Sequence, residues 1–298
     1  MNSITLRQES AAAAYIGALA PGSRSVQVKA LDEMAYMLSG GKHTAYTFPW
    51  GMLRFQHTNT LRSALAARFA PATTNRYLAA LRGTLKAAWR LKQMSAEDYQ
   101  ASSDIRGVPS QTLKAGRMLE RVELRALMHA CEGEGPLDRR DLAMMWVLRE
   151  TGMRRSEVVA LTLEDLERDI LIVRHGKGNK ARRQPICRSK GPIDSWLQVR
   201  GLLPGPLFLP LLKNGAVVMR RLSVDTLYRM CVRLSGVAEV AAFSPHDLRR
   251  TFVSMLLDAG EDVSTVQALA GHSNVNTTVG YDRRPEQRKA EAIERMTA

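Results

Sequence analysis

The 298-residue chain is poor in cysteine, in aromatics and in acidic side chains, and each shortage removes a class of explanation. Its three cysteines, Cys131, Cys187 and Cys231, are odd in number, far apart, and form no C-x-x-C pair. Neither a disulfide framework nor a cysteine zinc site is indicated, and all three read as reduced, partly buried core residues of a cytosolic protein. No apolar run approaches the ~18 residues that a membrane span needs. The nearest thing to a signal-peptide core, residues 11–20, follows a stretch whose one basic side chain, Arg7, stands beside Glu9, so secretion is not expected. No G-x-x-x-x-G-K-[ST] loop occurs, so a nucleotide-driven reaction of the P-loop kind has no support. Aromatics are 6% of the chain, while hydrophobic residues at 45% and charged residues at 24% describe an ordinary globular protein.

What the chain has in excess is positive charge, a formal net of +14. Residues 1–100 carry 12 Lys/Arg against 5 Asp/Glu, and residues 101–298 carry 31 against 24, so both parts are net +7. A polyanionic partner fits this balance, and so does a solvated basic surface. The first hundred residues read as mostly helical, with helices over 11–19 and 25–38 separated by Pro21-Gly22-Ser23. A further helix begins at Thr73 or Thr74 and sets Tyr77, Leu78, Leu81, Leu85 and Ala88 at helical spacing. Arg76, Arg82, Lys86 and Arg90 lie off that stripe, as on a helix along DNA phosphates or on any surface helix. Residues 101–117, rich in Ser, Gly and Pro, read as a linker. The expected domains are therefore 1–100 and 118–298. In the second, a helix over 141–150 stops at Gly152, and strands 170–173 and 183–186 flank the turn Gly176-Lys177-Gly178-Asn179 as a β-hairpin. The fold class is mainly α with a small antiparallel β-sheet in the second domain.

The final third concentrates polar residues suited to a phosphodiester. Ser244-Pro245-His246-Asp247 is a helix start: a cap, a proline at the first helical position and a carboxylate three residues after the cap. That helix is expected to run to Asp258. His246 and Arg249 then share one face near its positive end, prepared to hold a phosphate. A second helix over 262–270 ends at Gly271 and leaves His272 in the following turn, with Tyr281 nine residues later. Upstream, Arg154 supplies a second guanidinium. Taken singly, each has a plainer explanation: capping or a salt bridge for H-x-x-R, a helix C-cap for His272, half-buried packing for Tyr281. The acidic group Glu164, Asp165, Glu167 and Asp169 has no recognisable ligand spacing and reads as a solvated turn, not a two-metal nuclease.

In combination and in order, Thr151-Gly152-Met153-Arg154-Arg155-Ser156-Glu157, Gly176-Lys177-Gly178-Asn179-Lys180, His246-Asp247-Leu248-Arg249-Arg250 and Leu269-Ala270-Gly271-His272 with Tyr281 resemble the tyrosine recombinase (phage integrase) family. The resemblance covers residues 118–285. The stretch around Thr73-Thr74-Asn75-Arg76-Tyr77-Leu78 is similar to the family's helical, SAM-like core-binding domain. Departures are small, with Met153 and Ala270 each standing where leucine is usual. The resemblance implies Tyr281 as nucleophile, Arg154 and Arg249 as phosphate clamp, Lys177 as general acid, and His246 and His272 completing the site. Glu157 would orient its neighbours, while Lys180 and Arg250 join Arg76, Arg82, Lys86 and Arg90 as candidate DNA contacts.

Those residue types suit the task. In-line attack builds charge on non-bridging oxygens that planar guanidiniums can meet in pairs. A tyrosine of ordinary pKa near 10 needs a base or cation nearby, and the departing oxygen needs a proton. The implied enzyme is a site-specific recombinase working through a 3′-phosphotyrosyl intermediate and a Holliday junction, with no metal or cofactor. A type IB topoisomerase using the same chemistry and an idle DNA-binding protein are the alternatives. The implied partners are duplex DNA at a specific site and three further copies, with the tail 285–298 docking in trans. Expected localisation is cytoplasmic, at the nucleoid, with no module for distant arm-type sites.

Overall fold

The computed structural model describes residues 10–109, 116–174, 181–272 and 274–280. Two compact units divide between Leu113 and Lys114. The first is helical throughout: α1 (Ala11–Gly17), α2 (Pro21–Ser39), α3 (Phe55–Arg68), α4 (Pro71–Arg90) and α5 (Ala96–Ser103). Leu31, Met34, Leu65, Leu78, Leu81 and Leu85 form its core around Trp50, all essentially without solvent exposure.

Two helix starts differ from expectation for one reason. Pro21 is not part of a break and Pro71 does not precede its helix; each occupies the first turn of one, where its fixed φ is favourable and its missing N–H is no loss. Thr73 and Thr74 are thus inside α4. Thr74 is buried, and its hydroxyl donates to the Leu65 and Phe69 carbonyls at the end of α3, both at 3.2 Å. At the far end α5, capped by Ser95, extends three residues into the stretch read as linker. The linker's other end is also folded: the Arg117 amide donates to Asp247 Oδ1 at 2.8 Å, and Leu119 is 1% exposed in the second core.

The second unit contains α6 (Arg121–His129), α7 (Pro136–Thr151), α8 (Arg155–Ala160), a sheet of β1 (Leu166–Glu167), β2 (Ile170–Val173) and β3 (Arg182–Pro185), then α9 (Lys190–Arg200), α10 (Val224–Val237), α11 (Pro245–Asp258), α12 (Val263–Ala270) and α13 (Val275–Val279). The sheet is antiparallel in the order β1-β2-β3, with Val173 opposite Arg182 and Ile170 opposite Pro185. Its core gathers Leu124, Leu127, Met144, Leu148, Leu171, Trp196 and Phe208, and the Trp196 indole donates to the Leu207 carbonyl at 2.8 Å. Phe252, Val253, Leu257, Val266 and Ala270 form a separate apolar cluster joining α11 to α12.

Cys131 and Cys231 are core residues, their thiols pushed up to about 12 by burial, whereas Cys187 is exposed and not in the core. Within the acidic group Glu164, Glu167 and Asp169 are exposed, as a solvated turn requires, and Asp165 alone is buried. Glu164 and Asp165 lie in a 3₁₀ turn and Glu167 on β1, while Asp165 is 4% exposed, accepting from Thr162 and pairing with Arg174. Glu167 pairs with Arg183 and Asp169 with Lys190. Among the described residues no group of three or more His, Cys, Asp and Glu side chains is arranged to hold a metal ion. No helix among them is long and apolar enough to cross a membrane.

Candidate active site

Helix α11 begins as its sequence requires. Ser244 is the N-cap, Pro245 follows, and Asp247 closes a capping box by accepting from the Ser244 amide at 2.9 Å and hydroxyl at 2.7 Å. This fixes the first turn and sends Arg249 inward to 4% exposure, while His246 stays at the surface. A buried guanidinium needs acceptors. Arg249 Nη1 finds one in the carbonyl of Gly152, at 2.7 Å.

Gly152 ends α7 in the left-handed conformation, φ 57°, and a Cβ there would fall 2.3 Å from the Phe252 ring of α11. Only glycine lets the two helices approach this closely while its carbonyl faces Arg249. Two residues on, Arg154 is the N-cap of α8. Its Nη1 donates to Glu157 Oε1 at 2.8 Å and its Nη2 to the carbonyl of Gly271 at 2.8 Å. Gly271 is likewise a left-handed C-cap, closing α12 at φ 64°. Both arginines are therefore held by the carbonyl of a helix-ending glycine on another element, which ties α7, α8, α11 and α12 together.

Glu157, 4% exposed, is bound from two sides. Arg182 on β3 reaches both its oxygens, at 3.1 and 2.8 Å, and Arg154 supplies its amide and guanidinium. Burial works against the carboxylate's charge, but these donors outweigh it and hold the carboxyl down at about 2. The Arg182 guanidinium also fills the space beside Gly271, where a Cβ would lie 2.9 Å from its Nη1.

His272 follows Gly271 directly and is 8% exposed. Its backbone is pinned both ways by Gln267: the His272 amide donates to the Gln267 carbonyl at 3.1 Å, and the Gln267 side-chain amide donates to the His272 carbonyl at 3.0 Å. Its Nδ1 lies 2.8 Å from the hydroxyl of Thr278 on α13. Burial, then the charges of Arg249, Arg154, His246 and Arg182, push the imidazole down to about 4. His246 is lowered in the same direction by desolvation and by Arg249. Both rings therefore favour the neutral state near pH 7, inside a cluster where Arg154, Arg182, Arg249 and Arg250 outnumber Glu157 and Asp247. Such a cluster is short of negative charge, the condition in which an oxyanion is drawn in.

Arg154, Glu157, His246, Arg249 and His272 thus come together. Lys177, Lys180, Tyr281 and the tail 285–298 lie outside the described residues. Of the candidate DNA contacts, Arg76, Lys86 and Arg90 are exposed on α4. Arg82 is half-buried and donates to the Ile105 carbonyl. Arg250 donates to the Gly116 carbonyl at 2.9 Å. Arg182 was not among the sequence candidates. Its signal was strand alternation: Arg182 and Gln184 face inward, while Arg183 faces out to Glu167.

Residues 117–288 match the phage integrase family. Tyrosine recombinase XerC of Stutzerimonas stutzeri is 30% identical over 240 residues, covering 78% of this chain and 76% of that protein. Tyrosine recombinase XerD of Pseudomonas aeruginosa is 33% identical over 220 residues, covering 70% of each. Among solved structures, the Tn1549 transposon integrase in complex with transposon right end DNA superposes with a TM-score of 0.70 at 17% identity, over 97% of this chain and 100% of that one. The XerH site-specific recombinase bound to palindromic difH substrate, a post-cleavage complex, gives 0.64 at 23% identity, over 83% and 73%. The last two are likenesses of fold.

Proposed function

The chain belongs to the phage integrase family and is a tyrosine recombinase, and from that premise we propose that it cuts and rejoins duplex DNA through a covalent 3′-phosphotyrosyl bond to Tyr281. The observation that supports this reading most is the pairing of Arg154 and Arg249 through the Gly271 and Gly152 carbonyls, with His272 beside them. Two planar guanidiniums fixed in this way present donors for both non-bridging oxygens of one phosphodiester. Their orientation is set before DNA arrives, so little reorganisation is needed as charge develops.

The reaction then runs as a transesterification. The Tyr281 oxygen attacks phosphorus, its proton passing to the neutral His246, and the bond to the 5′-oxygen breaks as Lys177 gives that oxygen a proton. The phosphotyrosyl ester keeps the bond energy of the broken diester, so a second 5′-hydroxyl restores DNA without a nucleotide. Glu157 and Arg182 hold Arg154 in register. On two sites, four copies exchange strands through a Holliday junction, with residues 285–298 docking on a neighbouring copy.

The test is covalent trapping. Protein is incubated with sheared DNA from the region flanking its own gene, denatured with SDS, and assayed for DNA that partitions with protein. Adducts should form with EDTA present. Arg249→Lys should lower their rate by about 10²–10³, because an ammonium cannot reproduce a fixed two-pronged donor. Adduct formation that EDTA abolishes, or that Arg249→Lys leaves unchanged, would overturn the mechanism.

A further inference from the structure

The contact between His272 and Thr278 goes beyond holding a ring in place. Thr278 is fully buried on α13, and its hydroxyl has His272 Nδ1 as its hydrogen-bond partner among the described residues, at 2.8 Å. A neutral imidazole has one N–H and one acceptor nitrogen. If Nδ1 carried the proton and donated, the threonine's own hydrogen would be buried without an acceptor, an arrangement folded proteins avoid. If the hydroxyl donates instead, Nδ1 is the acceptor, every group is satisfied, and the imidazole proton sits on Nε2. The backbone of His272 is already locked by two hydrogen bonds to Gln267, so the ring has little other freedom.

We propose that Thr278 is a positioning residue that fixes His272 as its Nε2–H tautomer, so that the ring offers the phosphate a hydrogen-bond donor and not a lone pair. The role at the phosphate rests on the function proposed above; the tautomer itself does not. The threonine keeps the imidazole proton on Nε2 whatever charge the neighbouring guanidiniums favour there. Thr278 also stands three residues before Tyr281. The same hydrogen bond therefore links the orientation of His272 to the helix that leads to the nucleophile.

Two measurements test this on the full chain. With histidine labelled by ¹⁵N, long-range ¹H–¹⁵N spectra near pH 7 should show the His272 Nδ1 resonance in the range of an unprotonated nitrogen. Thr278→Val, nearly isosteric, should convert this to a mixture of tautomers, and Thr278→Ser should restore the single form. A protonated Nδ1 in the parent protein, or an unchanged signature in Thr278→Val, overturns the proposal. Thr278→Val should also slow covalent trapping roughly three- to tenfold, the effect of one net hydrogen bond, with recovery in Thr278→Ser. In a His272→Ala background the loss should vanish. A loss that persists there would make Thr278 a packing residue of α13 and nothing more. If the parent protein traps no DNA at all, that result falls on the proposed function, and the spectra still decide the tautomer.

Discussion

Arg154 and Arg249 show how environment fixes a side chain's reach, and His272 how it sets a charge state. His272 is the clearest case. Its pKa lies at about 4 in the folded protein, against the ordinary 6.5 of an unfolded chain, because burial and three guanidiniums oppose a further positive charge. The unfolded chain therefore takes up this proton first on acidification. Stability contributed by the neutral ring is complete above pH 6.5 and is lost as pH falls from 6.5 towards 4, by up to roughly 3 kcal/mol. Glu157 acts in a lower window: held at about 2, it costs stability as pH falls below its ordinary 4.5. Urea midpoints measured across pH 4.5–7 should decline on acidification, and His272→Gln should flatten that decline. An equal slope in the variant would mean the ring is not held neutral. A docked phosphate reverses the balance by supplying negative charge, so the acid sensitivity should diminish in the DNA complex.

At the scale of elements, the ends of helices build the site more than their middles. Gly271 closes α12 with φ 64° and leaves no room for a Cβ beside Arg182. Gly271→Ala should therefore cost about 1–2 kcal/mol from the left-handed backbone alone, with a further loss as the guanidinium is displaced. Because Arg182 and Arg154 share Glu157, the same change should slow trapping well beyond its effect on stability. A variant with parental stability and parental rate would show that the cap is not a support for the site. Helix ends were also the most legible parts of the sequence. Ser244-Pro245-His246-Asp247 announced α11, and Asp262 with Gly271 bracketed α12, since each names a specific satisfied group. Other features were hidden for physical reasons. Pro21 and Pro71 begin helices here, and proline marks a helix start as readily as a break. Strand β1 has two residues, too short for any period to register. Placing β3 one residue late, at 183–186, leaves Arg182 outside the strand although alternation puts it on the inner face. That single shift is why Glu157's main partner went unseen. The pairing of arginines with glycine carbonyls was invisible for a different reason: it joins residues 97 and 117 positions apart.

For the molecule as a whole, positive charge is spread over both units, with exposed Arg76, Lys86 and Arg90 along α4 of the first and the guanidinium cluster in the second. Such a distribution suits a duplex bound through its phosphates by both units, with affinity that falls steeply as salt rises. It does not by itself distinguish binding from chemistry. The central claim is chemical: Tyr281 forms the covalent bond to DNA. The most direct measurement digests trapped protein–DNA adducts and maps the modified peptide by mass spectrometry, with Tyr281→Phe in parallel. The account predicts a nucleotide joined through its 3′-phosphate to Tyr281, and a variant that binds DNA without any adduct. A modified residue elsewhere in the chain, or adducts that persist in Tyr281→Phe, would contradict it.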